Sequence, residues 1–246
     1  MILRRFTEAL RRQDWTTIGV ELVMVVLGIF LGIEAANWNE DRRDRQDESA
    51  YLLRLHEDVR SSIEDLNRGR DDVASWNEQG QRALRALQEG DPSLAGEDAA
   101  HAFAASTRIG LPVTQLATIT ELISSGGLNE ISDPDIRAAL ARMDGSIQGL
   151  REHIRILVDY VVPVAPTVQT RLRPDFGGGT GMDRNVSFDF DALSADEEFQ
   201  NALGYVLRIQ RWNLLWMGAM IRELEDFEAL LAEKLGEADP EPAPAG

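Results

Sequence analysis

Few side chains in this chain stand where chemistry is expected of them, and the most conspicuous is a carboxylate. Glu21 interrupts an otherwise apolar run, Ile18–Ile33, in which twelve of sixteen residues are Val, Ile, Leu, Met or Phe. An ionisable group in such a setting marks a packing or functional position by default. The three histidines, His56, His101 and His153, each lack a histidine partner four residues on, so no helical zinc motif is formed. His56-Glu57-Asp58 points successive side chains to different faces of a helix. Asp183-x-Asn185-x-Ser187 imitates the opening of a calcium loop, but Phe188 stands where glycine is required and Ser194 where the closing glutamate belongs. Gly177–Gly181 lacks the Lys-Ser/Thr ending of a phosphate loop. Glu121 lies near Ser124 and Ser125, yet capping and solubility explain all three. No nucleophile has a recognisable base and orienting partner. The expectation is a protein with no catalytic residue, no metal site and no cofactor, and not an enzyme.

Composition narrows the choice further. The net charge is −17 over 246 residues. Arg4, Arg5, Arg11 and Arg12 against Glu8 and Asp14 leave residues 1–20 at +2, so the rest sums to −19. So acidic a domain repels phosphate backbones, and no nucleic-acid partner is expected. There is no cysteine, which removes disulfides and thiolate chemistry.

The apolar run sets the architecture. Residues 16–36 form about twenty-one residues of helix, roughly 30 Å, the thickness of a bilayer's hydrocarbon core. Trp15 and Trp38 flank it at the depth where amphipathic rings settle. The residues at its end, Gly32-Ile33-Glu34-Ala35-Ala36-Asn37, fit an uncleaved anchor better than a signal-peptide cleavage site. Glu21, Gly28, Gly32 and Ala36 share one stripe, and Gly28-x-x-x-Gly32 allows close helix approach. The anchor is therefore expected to self-associate with Glu21 at the seam. Trp15, Asn37, Trp38 and Glu40 are the candidate interface anchors. The arginines of the short tail favour a cytoplasmic N-terminus and a main domain outside. Leu3, Phe6 and Leu10 make residues 1–15 a short amphipathic segment.

The remainder reads as all-α. Leu52, Leu55, Val59, Ile63, Leu66, Val73 and Trp76 repeat at helical spacing, predicting an amphipathic helix over 37–90, with Gly69 and Gly80 as bends. A helical bundle is predicted over 91–236. Within it, helices are expected at Ala95–Ser106, at Thr114–Ser125 stopped by Gly126-Gly127, and from Asp133-Pro134 to about Val161. Pro163 and Pro166 should end or kink that helix. Residues 173–193 form a Gly-rich break. Ser194 and Glu197 read as a capping box for a last helix to about Leu235, whose core positions include Ile209, Leu214 and Met217. Residues 237–246 read as a disordered tail, and no strand of useful length is predicted.

The progression Gly19-Val20-Glu21, Gly28-Ile29 and Asn37-Trp38-Asn39-Glu40 resembles an uncharacterised bacterial membrane family, domain of unknown function 6090. Tyr51-Leu52-x-Arg54-Leu55-x-Glu57-Asp58 and the block Thr120-Glu121-Leu122-x-Ser124-Ser125-Gly126-x-Leu128 are similar to its further segments. The resemblance implies a single-pass protein of the bacterial inner membrane with a helical domain, and carries no activity. Three functions stay open on the residues: a scaffold with a protein partner, an extracytoplasmic sensor that needs a separate transducer, and an enzyme.

Overall fold

The computed structural model describes the backbone of residues 15–96, 98–175 and 185–238, with side chains of the first helix from Leu22 onward. The amphipathic segment before Trp15, Gly177–Gly181, Asp183 and the tail from residue 239 lie outside the described residues, as do the side chains of Trp15 and Glu21. Seven α-helices are described: α1 Trp15–Glu89, α2 Ala99–Ser106, α3 Ala117–Ser125, α4 Pro134–Val161, α5 Ala165–Arg171, α6 Phe190–Ser194 and α7 Glu197–Ala238. The all-α prediction holds, with one small exception. Arg173–Asp175 (β1) and Asn185–Ser187 (β2) pair as an antiparallel ribbon, Arg173 facing Ser187. Three residues per strand are too few to show an alternating pattern in sequence.

The chain divides into two compact units, Met1–Ala50 and Tyr51–Gly246. The division does not fall at residue 90. Leu52, Leu55, Val59 and Leu66 of α1 are buried in the same apolar cluster as Ile136, Leu140 and Met143 of α4 and Met217, Ile221 and Leu224 of α7. A second cluster joins Ala83 and Leu87 of α1, Phe103 of α2, Val168 of α5, and Phe199, Leu203 and Leu207 of α7. The second half of α1 is thus a core helix, because its apolar stripe buries against α2, α4, α5 and α7.

Helix ends follow local chemistry. Asp133 accepts hydrogen bonds from the Asp135 and Ile136 amides at 2.8 and 3.1 Å, with Pro134 in the first turn. Gly126 ends α3 with φ +78, a backbone region costly for any other L-residue. The start of α3 is capped from a distance, since the Asp58 carboxylate on α1 accepts from the Thr118 amide at 2.8 Å. Three expectations need correction. Ser194 closes α6 and does not cap α7. That cap is Asp196, which accepts from the Phe199 amide at 2.9 Å and is held by Arg171 at 2.8 Å. The α3 helix begins at Ala117, not Thr114, because 107–116 is a strap. Gly69 and Gly80 do not interrupt α1, which is one continuous helix through both. They are points of close approach: a methyl at Gly69 would meet the Met217 side chain at 3.2 Å, and one at Gly80 would overlap Leu207 and Ser106.

Candidate functional site

Two features stand apart from ordinary bundle packing. The first is the apolar surface of the N-terminal unit. From Leu22 to Ile33 every Leu, Val, Met, Ile and Phe side chain is between 53 and 66 % exposed. None of the most hydropathic window in this helix is covered by protein. A core helix of a soluble fold would be mostly covered; this one is long and apolar enough to cross a membrane. A Cβ at Gly28 or Gly32 would meet nothing within 4 Å. Ala36, Asn37, Trp38 and Glu40 are likewise exposed, and the helical backbone carries Glu21, Gly28, Gly32 and Ala36 along one face.

The second feature is a buried polar layer between the two apolar clusters. It was not anticipated from the sequence. On α7, Gln210 and Asn213 are 1 % and 0 % exposed, set between Leu207 of one cluster and Met217 of the other. On α1, Asn77 lies between Leu66 and Ala83 and is also buried. Asn77 donates to the Leu207 carbonyl at 2.8 Å and to Gln210 Oε1 at 3.1 Å. Gln81 donates to Asn77 Oδ1 at 2.6 Å. Gln210 Nε2 donates to the carbonyl of Arg108 at 2.7 Å, and Asn213 Nδ2 to that of Gly110 at 2.6 Å. Ser62 accepts from the Gln115 amide at 2.8 Å. The strap 107–116 has no regular partner for its backbone, so side-chain amides supply one. Gly110 is required here, because a side chain would collide with Val73 of α1.

His153 of α4 completes the layer. It is 3 % exposed, stacks on Trp216 with ring centroids 4.3 Å apart, and lies 4.7 Å from Trp212. Asn213 gives its amide hydrogens to Gly110, so its Oδ1 must accept, and His153 Nε2 donates to it at 2.8 Å. Burial holds this imidazole below its ordinary titration range, with the Asn213 hydrogen bond pulling weakly the other way. The neutral form therefore belongs to the folded state. A group with a depressed folded value and an ordinary unfolded value of about 6.5 costs nothing above that pH and destabilises the fold as pH falls below it, levelling off below the folded value. The urea midpoint of the protein is expected to fall between pH 7 and pH 5, and to fall less in His153→Gln.

The other sequence candidates are placed singly. His56 bonds Glu228 of α7 at 2.9 Å, an interhelical contact. His101 stands in α2 with its backbone amide donating to Asp98. Asn185 and Ser187 are in β2. Among the described residues, no three His, Asp or Glu side chains are grouped to hold a metal. A hollow of about 540 Å³ is lined by Arg171, Arg173, Ser187, Asp189 and Asp196, and its Arg171 is engaged by Asp196 and Glu198, both at 2.8 Å. This is an ion-paired helix junction, with the guanidinium already satisfied.

Comparison with known proteins returned no matching family model, no similar curated protein and no similar solved structure.

Proposed function

We propose that this is a membrane-anchored interaction protein, with the helix over residues 16–36 spanning the bacterial inner membrane and the acidic bundle held outside the cytoplasm to meet a protein partner. The observation that carries this reading is the uncovered apolar belt from Leu22 to Ile33. Lipid tails are the solvent that such a surface requires, since aqueous exposure would cost about 25 cal/mol for each Å² left wet. The family resemblance and the tryptophans at both ends of the span support the same reading. Two anchors associate along the Gly28, Gly32 and Ala36 face with Glu21 at the seam, where a buried carboxyl finds a partner that lipid does not offer.

Fractionation tests the anchor. The full-length chain is expected in the membrane pellet and to resist alkaline extraction, with its N-terminal residues retained. Recovery as a dispersed soluble species, or loss of residues before Asn37, would overturn the reading. Protease added to spheroplasts should degrade the main domain, and protection of that domain would reverse the orientation. Gly32→Leu is expected to weaken anchor association in a membrane two-hybrid assay about tenfold, because a leucine separates the two backbones.

A further inference from the structure

Just past the apolar belt, α1 carries its charges sorted by face. Between Asn37 and Ala50 stand three arginines, Arg42, Arg43 and Arg45, and five carboxylates, Glu40, Asp41, Asp44, Asp47 and Glu48. On a helix each side chain neighbours the residues three and four positions away. Arg43 has Glu40 and Asp47 at those positions, and Arg45 has Asp41 and Glu48. Arg42 has no carboxylate there: its neighbours are Trp38, Asn39, Arg45 and Gln46. Arg42 and these four neighbours are all exposed, Trp38 at 62 %. Among the described residues Arg42 enters no ion pair. Trp38, Arg42 and Arg45 follow one another at intervals of four and three, so they form a stripe along one side of the helix.

We infer that the Trp38–Arg42 face binds the headgroup phosphate of an anionic phospholipid, in the leaflet where the chain leaves the bilayer. The inference rests on the anchor reading, because it takes Ala36 as the edge of the hydrocarbon. Depth supports it. The Cα atoms of Trp38, Arg42 and Arg45 lie about 3, 9 and 14 Å of helix beyond Ala36. The headgroup layer is about 5–7 Å deep on each side of the hydrocarbon. Helical side chains lean toward the helix N-terminus, which here is toward the bilayer. The Arg42 guanidinium is therefore brought down into the phosphate layer, beside an indole that settles at its lower edge. It meets no competing carboxylate on its own helix, so a phosphate supplies the paired oxygens that a guanidinium fork fits. Asn39 adds a neutral donor one turn below, and Arg45 a second positive charge one turn above. A zwitterionic headgroup brings its own cation to the phosphate, whereas an anionic one leaves both arginines unopposed. The carboxylates on the rest of the helix repel anionic headgroups, which confines the lipid to this stripe. A folded acidic protein is disfavoured as the occupant, since at this depth it would have to displace the headgroups themselves.

The full-length protein in a neutral detergent is to be titrated with phosphatidylglycerol or with phosphatidylcholine of the same acyl chains, and the bound lipid counted by native mass spectrometry. One phosphatidylglycerol is expected to bind about tenfold more tightly than phosphatidylcholine. Arg42→Gln should weaken it about fivefold, the effect of one arginine near a charged surface. Arg43→Gln, at the same depth but between two carboxylates, should change it by less than about twofold. Arg42→Lys keeps the charge and loses the fork, so its affinity should fall between the parent and Arg42→Gln. Inorganic phosphate in millimolar excess should not displace the lipid. Equal affinity for the two lipids overturns the assignment. So do equal losses in Arg42→Gln and Arg43→Gln, which would describe general attraction to a basic segment. Displacement by inorganic phosphate overturns it in favour of a free-anion site. Alkaline extraction reads the anchor by itself: an extracted parent overturns both readings, whereas a retained parent with no lipid preference overturns this one alone.

Discussion

Asn213→Leu is expected to lower the unfolding free energy by about 2–5 kcal/mol, the largest loss among apolar substitutions in the polar layer. Leucine keeps the branched shape at Cγ, so the overpacking from its larger methyl groups adds to that number without setting it. The cost comes from two partners left behind. The part-buried Gly110 carbonyl loses a donor at 2.6 Å, and the buried His153 Nε2–H loses an acceptor at 2.8 Å. Each orphaned buried group costs about 1–3 kcal/mol. Asn213→Asp separates this account from a packing account. Aspartate keeps the acceptor for His153 but removes the donor for Gly110 and buries a charge against that carbonyl, so its loss near neutral pH should be at least as large and should shrink as the carboxyl takes up a proton and can donate. Urea denaturation of the full-length protein in micelles, followed at several pH values, measures both.

Gly80→Val is the second large effect, expected at about 2–4 kcal/mol even though valine is the better helix former in isolation. A Cβ at this position would overlap the Leu207 side chain and come within 2.8 Å of the Ser106 Cβ. Leu207 is a side-chain end and can turn away, but Ser106 is 0 % exposed and its hydroxyl is tied to the Phe103 carbonyl at 2.6 Å. The α2 helix must therefore move off α1 to admit the new atoms. Gly145→Val is the matching control. No atom lies within 4 Å of a Cβ there, so the same substitution should leave stability nearly unchanged. Thermal unfolding of the two variants side by side distinguishes a steric cause from a general sensitivity to glycine replacement.

Much of the architecture was legible because its signals are local. The Asp133-Pro134 start of α4, the Gly126 stop of α3 and the apolar run from Ile18, interrupted by Glu21, each depend on residues a few positions apart. What was not legible depends on partners far along the chain. Reading α7 by apolar spacing selects Leu214 as a core position, whereas Asn213 is the fully buried residue and Leu214 is only partly covered. The stripe runs Val206, Gln210, Asn213, Met217, with two amides in a register that hydrophobicity alone passes over. Those amides are inside because the strap, about one hundred residues earlier, brings bare carbonyls to them. Gly80 was read as a bend for the same reason, since the side chain that needs its space belongs to Leu207. Ser194 lost the cap to Asp196 because a short-range motif was outcompeted by a carboxylate that Arg171 holds in place.

The polar layer also acts as a detent against sliding. Advancing α1 past α7 by one helical turn would carry Asn77 about 5.4 Å along, away from the Leu207 carbonyl and from Gln210, and bring apolar neighbours up against both. Asn77 would then lose both of its acceptors, and Gln210 Oε1 its donor, at the same moment. A push or pull delivered along α1 thus has no intermediate stop in this bundle: either α7 travels with it as one body, or the strap lets go.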